Sequence, residues 1–140
     1  MADIFNTAAV RASGLRKDHA LAAALSGRED ILTMTQQAHD AALTPDAPGG
    51  LSHAVRAALA CRMARLNSEE GLSAQFLAMI GSDTVAGQIA DPSFTGTADT
   101  RLAAILRHTD LVTQDTKGVV AGDIAAVSYT HLTLPTTLQV

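Results

Sequence analysis

Cys61 is the only cysteine of this 140-residue chain, and it stands beside Arg62 with Arg56 and Arg65 on neighbouring turns. A thiol among guanidinium groups can become a nucleophile, because the positive charges favour the thiolate. With no second cysteine, however, no resolving disulfide can follow within the chain. A lone cysteine in an alanine-rich helical stretch also suits the part of a small core residue, and that is the reading we take. Glu69-Glu70 could serve as a paired acid and base, but at the start of a helix they more simply complement its macrodipole. Together with Arg56, Arg62 and Arg65 they are expected to form a salt-bridged surface or subunit contact.

His39-Asp40, His53, and His108 followed by Asp110 complete the polar candidates, with His19 further upstream. A zinc site would be signalled by two histidines at i and i+4 on one helix face, and no such pair occurs. These histidines fall on different expected helices and are assigned surface or cap roles. Gly49-Gly50 precedes a helix, but no strand comes before it and no lysine after it, so it does not read as a phosphate loop. No residue is therefore assigned a catalytic, cofactor-binding or metal-binding role.

The elements that would position these residues are helical. Ile4, Phe5, Ala8 and Ala9 form one apolar turn before Ser13-Gly14, and an alanine-rich run leads from Asp18 to Leu25. Ser26 and Glu29 have capping-box spacing. Ile31, Met34, Ala38 and Ala41 recur at helical spacing, which predicts an amphipathic helix over 28–43. Thr44-Pro45-Asp46-Ala47-Pro48-Gly49-Gly50 breaks it. Ser52 then caps a helix whose stripe is Val55, Leu59, Met63 and Leu66. After a break at Asn67-Ser68, a second helix buries Leu72, Phe76, Met79 and Ile80 and stops at Gly81. A short helical turn is expected around Val85 and Ile89. Thr97 opens a further helix lined by Leu102, Ile105, Leu106 and Val112, and Val119 to Val127 form the last. The expected fold is an all-α, alanine-rich bundle of five to seven helices.

Composition agrees with that class and excludes others. Hydrophobic residues are 47% and charged residues 17%, which is globular and not disordered. Aromatics are only 3% while alanine dominates the apolar set, favouring close helix packing over a sheet. A net charge of −4 with no basic stripe argues against nucleic acid and anionic membranes as partners. No apolar run of membrane-spanning length exists, no secretory signal opens the chain, and the single cysteine fits a reducing, cytoplasmic compartment.

Composition shifts abruptly near Val127. Residues 128–140 contain no alanine, four threonines and the only tyrosine. The segment resembles translated adapter read-through, so 1–127 is taken as the incomplete N-terminal part of a domain and 128–140 as a non-native, poorly packed tail.

The acidic Pro-Gly-Gly linker followed by Leu51-Ser52 and an alanine-rich helix resembles the carboxymuconolactone decarboxylase-like family, which includes the alkylhydroperoxidase D-like proteins. The run from Arg101 to Asp115 is similar to the segment that follows that family's central helices, and the resemblance covers about residues 3–127. It implies an all-α fold, here one alkylhydroperoxidase D-like half, that assembles into oligomers. Redox-active members carry Cys-x-x-Cys with a histidine four residues after the second cysteine. A helix N-terminus and that histidine lower the first thiol's pKa so that it attacks a peroxide oxygen, and the second cysteine resolves the sulfenic acid.

With Asn67 matched to the small polar position before that motif, Glu69 and Leu72 replace the two cysteines and Phe76 replaces the histidine. Either the redox motif belongs to a second half beyond Val127, or the subgroup lacks it. Two functions follow: a non-catalytic scaffold portion of a peroxidase-related protein, or a helical interaction module that forms homo-oligomers or docks on a missing C-terminal half.

Overall fold

The Ser52 hydroxyl accepts the Val55 N–H at 3.2 Å, and this cap starts the helix on which the rest of the chain packs. The computed structural model describes residues 3–130, with side chains through 128. Among them the fold is all-α, with eight α-helices: α1 (Ala8–Ser13), α2 (Ala22–Ser26), α3 (Glu29–Leu43), α4 (His53–Leu66), α5 (Glu70–Ile80), α6 (Thr84–Ile89), α7 (Thr100–Gln114) and α8 (Ala121–Thr130). Eight exceeds the expected five to seven because α1, α2 and α6 are single short pieces of five or six residues. Two 3-10 turns, Ile4–Asn6 and Thr116–Gly118, complete the described elements.

Helix α4 lies at the centre and contacts α3, α5, α6 and α7, most extensively α5. Its buried side is small: Ala57, Ala58, Cys61 and Ala64 are covered, whereas Val55 and Leu59 are half-buried and Met63 is exposed. The larger apolar residues thus do not mark the core face, contrary to the expected stripe. Alanines there let α5 and α6 approach closely, and Ile80, Ile89 and Leu106 fill the space between. Helix α5 repeats the theme against α1, where a Cβ on Gly71 would overlap the Ala12 carbonyl oxygen. Of its expected buried set, Ile80 is buried, Leu72 and Phe76 are half-buried, and Met79 is exposed. Gly81 ends α5 as expected, at φ 71° and ψ −138°, a conformation open to glycine but not the left-handed helical one of the usual cap. Of the expected α7 stripe, Val112 is likewise exposed.

Helix α3 has the expected extent and an unexpected rotation. Ile31 and Met34 are 40% and 58% exposed, and Ala38 and Ala41 also face outward. The inward side carries Leu32, Gln36, His39 and Leu43. The cause is the N-terminal arm. Gln36 Oε1 accepts the Ala8 N–H at 2.7 Å, Gln75 Nε2 donates to the Ala8 carbonyl at 3.0 Å, and His39 stacks on Phe76. Turning Ile31 inward would strand the Ala8 N–H, and a buried unpaired donor costs about 1–3 kcal/mol. The Ser26–Glu29 capping box does not form either. The Ser26 hydroxyl donates back to the Ala22 carbonyl at 3.1 Å, and Arg28 opens α3 without a side-chain cap.

Caps set the later boundaries. Asp83 Oδ1 accepts the Ala86 N–H and Asp99 Oδ1 the Leu102 N–H, so α7 starts at Thr100 and not Thr97. Asp123 accepts from Val120 N at 3.0 Å and from Arg107 Nη1 at 3.1 Å, which ties α8 to α7. The Val120 N–H outweighs the effect of burial and, with Arg107 adding, holds the Asp123 carboxyl below the ordinary aspartate range. Helix α8 runs on to Thr130, across the composition change at 128. Residues 131–140 of the suspected tail, His131 included, lie outside the described residues, as does the expectation that they pack poorly.

The charged centre of the bundle is Arg62, 2% exposed. Its Nε and Nη2 hold the two Asp110 carboxylate oxygens at 2.6 and 2.7 Å. Nη1 reaches the carbonyls of Ile89, Asp91 and Phe94, and Nη2 that of Pro92, all within 3.2 Å. Those carbonyls include the unpaired C-terminal end of α6, so one side chain satisfies a turn that no helix could. Arg62→Met should lower unfolding free energy by about 3 kcal/mol or more, and Arg62→Lys should recover little, because an ammonium cannot fork a carboxylate and span four carbonyls. Urea titrations followed by circular dichroism would read both; a loss under about 1 kcal/mol would contradict this account. Gly71→Ala should also destabilise, by about 1–3 kcal/mol. The α1 clash outweighs the roughly 1 kcal/mol that alanine gains in a helix interior, and a net stabilisation in the same titration would refute the close contact.

Candidate functional site

The α4–α5 junction is where the family's redox motif would stand. Helix α4 ends at Asn67, and Ser68 turns the chain at φ 57°, the one non-glycine residue with positive φ among those described. Ser68 N donates to the Arg65 carbonyl at 3.0 Å and Glu69 N to the Ala64 carbonyl at 2.8 Å. This pair of bonds is a Schellman closure with serine where glycine is usual. The left-handed conformation costs about 1–2 kcal/mol for a residue with a Cβ, and the two bonds offset it.

The chain leaves this turn directly into α5. Glu69 accepts the Leu72 N–H at 3.5 Å, and the Ser73 hydroxyl donates to the Glu69 carbonyl at 2.6 Å. Leu72 is half-buried, and Phe76 is packed on the His39 ring with centroids 5.8 Å apart. The three residues aligned with Cys, Cys and His therefore cap, pack and stack. An open groove beside them is lined by Arg65, Ser68, Glu69, Glu70, Ser73 and Leu77. It offers carboxylates, hydroxyls and a guanidinium, and no thiol.

Cys61 lies one turn deeper and is fully buried. Its Sγ donates to the Ser73 carbonyl at 3.5 Å. Burial raises the thiol's pKa, and the opposing pull of Arg65 is smaller. The residue is a protonated core thiol, as its alanine-rich surroundings suggest.

The arginines are not the surface network expected of them. Arg56 donates from Nε to Leu51 O, from Nη1 to Ala42 O and from Nη2 to Pro48 O, which fastens the Pro-Gly linker to α4. Arg65 Nη1 donates to Ala90 O at 2.8 Å beside the Arg62 cluster. No described ion pair joins any of the three to Glu69 or Glu70. Apart from the Asp110 carboxylate on Arg62, the acceptors that hold them are main-chain carbonyls, which every residue type supplies and which a charge pattern does not reveal.

The histidines do not converge. His19 Nδ1 accepts the Leu21 N–H, and His53 Nε2 lies 2.7 Å from the Pro45 carbonyl. His39 Nδ1 is 3.1 Å from Asp40 Oδ1, which also accepts from Gln36 Nε2. Asp110 turns to Arg62, whereas His108 faces a cavity with Arg56 and Arg101. Among the described residues no group of three His, Cys, Asp or Glu side chains is placed to hold a metal ion. Gly49 turns at φ 64°, and the Gly50 carbonyl accepts from Arg101 Nη2 at 3.0 Å, so this Gly pair closes a loop onto α7.

The chain matches no protein-family model, no curated protein and no solved structure. No described helix is long and apolar enough to cross a membrane.

A buried, protonated thiol should resist a disulfide reagent. At pH 8, Cys61 in the folded chain should react with 5,5′-dithiobis(2-nitrobenzoate) at least about tenfold more slowly than in urea. Equal rates in the two conditions would place the thiol at the surface.

Proposed function

We propose that this chain is a helical scaffold portion of a carboxymuconolactone decarboxylase-like, peroxidase-related protein, and that it performs no thiol redox step itself. The all-helical fold and the tight α4–α5 pair support the first part. The observation that carries the second is the fate of the motif positions. Glu69 caps a helix, Phe76 stacks on His39, and the single thiol is sealed under α5. A peroxide has no thiolate to meet, and a sulfenic acid at Cys61 would have no second cysteine to resolve it. A cytoplasmic setting is part of this proposal.

One observation favours the second reading, a helical interaction module that self-associates. Ile31, Met34, Ala38 and Ala41 form an apolar stripe along the outer side of α3, and Leu77 and Met79 are exposed on α5. Apolar surface gathered in this way marks association sites more often than chance placement does.

A thiol-dependent peroxidase assay separates the readings from their rival. Neither the wild-type chain nor Cys61→Ser should turn over hydroperoxide above the uncatalysed rate; wild-type turnover lost in the variant would overturn the proposal. In sedimentation velocity, association weakened at least about tenfold by Met34→Glu would favour the module.

A further inference from the structure

We propose that the cavity between the 48–51 linker, α4 and α7 is a binding site for a small organic carboxylate with an apolar body. The cavity measures about 260 Å³. At about 30 Å³ for each water-sized unit, that is room for roughly nine non-hydrogen atoms. Its charged lining is Arg56, Arg101 and His108, with no Asp or Glu among the described residues of the wall. Leu59 and Ile105 supply carbon surface beside them.

The basic lining of the cavity carries the inference. Arg101 Nε and His108 Nδ1 are the buried side-chain nitrogens or oxygens without a hydrogen-bond partner among the described residues. Both belong to residues that line this one cavity. They stand seven residues apart on α7, hence on one face of that helix. Those two nitrogens are closed to a water-sized probe, so the groups that can meet a guest in the cavity are the remaining guanidinium N–H groups of Arg56 and Arg101 and the imidazole edge of His108.

Their chemistry defines that guest. Arg101 Nη2 donates to the Gly50 carbonyl, which fixes the guanidinium in place while Nε–H stays free. Arg56 is held still by three carbonyls, and among the described residues no ion pair neutralises it. The nearby Asp123 carboxylate is occupied by Val120 N and Arg107. Two guanidinium groups with no acidic partner among the described residues, beside an imidazole, call for an anion. A guanidinium edge matches the planar fork of a carboxylate. The apolar wall favours an organic body and would leave several oxygens of a bare phosphate unpaired.

Isothermal titration of the full chain at constant ionic strength tests this, with benzoate, its neutral isostere benzamide, and inorganic phosphate. Benzoate should bind saturably, with benzamide and phosphate at least about tenfold weaker. Arg101→Met should lose at least about tenfold in benzoate affinity. Because Arg101 also anchors Gly50, His108→Gln is the second variant; it breaks no hydrogen bond seen in the structure and should weaken benzoate binding as well. The proposal fails if benzoate does not saturate by about 10 mM, if benzamide or phosphate binds as tightly, or if the folded variants bind benzoate like the wild type.

Discussion

Everything in this bundle leans on one guanidinium. Arg62 sits where solvent is excluded, and moving a cation there costs several kcal/mol unless charge and hydrogen bonds replace its hydration. Asp110 returns the charge through two short bonds, and the carbonyls of Ile89, Asp91, Pro92 and Phe94 take up the remaining donors. The dependence is mutual. Without those carbonyls Arg62 would be under-coordinated, and without Arg62 the carbonyls of Ile89 and Pro92 would lose the donor that holds them. A chain with few aromatics has little bulk with which to fill its centre, so a long polar side chain takes that role.

The α4–α5 pair shows how alanine shapes such a fold. Small side chains bring the backbones near, and the junction must then be tight. Ser68 accepts a left-handed backbone to keep it so. A serine at that corner leaves a hydroxyl at the mouth of the open groove, where glycine would leave bare backbone. The corner serves shape: its neighbours Glu69 and Ser73 spend their polar groups on capping α5.

Much of the architecture was legible in the sequence, and the failures have physical causes. Ser52, the Pro-Gly linker and Gly81 placed α4 and the end of α5 correctly, because caps and breakers act through local backbone geometry. The orientation of α3 was not legible. Its apolar period points Ile31 and Met34 inward, yet Gln36 is drawn in by Ala8, a partner 28 residues away. Arg62 was misread for a related reason, since its partners are Asp110, 48 residues away, and four main-chain oxygens that leave no trace in residue type. The family likeness rested on the linker before Leu51-Ser52, the helix after it and the run from Arg101 to Asp115, and at Glu69, Leu72 and Phe76 the residues of the redox motif are not present. Arg101 and His108 stood in plain view on α7, but only the fold shows that they line one cavity with Arg56.

The two glutamines that grip Ala8 have a consequence for how the chain forms. Gln36 and Gln75 hold the two sides of one residue from helices 28 and 67 positions downstream. On the ribosome, the first helix therefore emerges long before its second clamp exists. Until α5 has been made only Gln36 is available to hold Ala8, so the grip on that residue is completed by the later of the two helices.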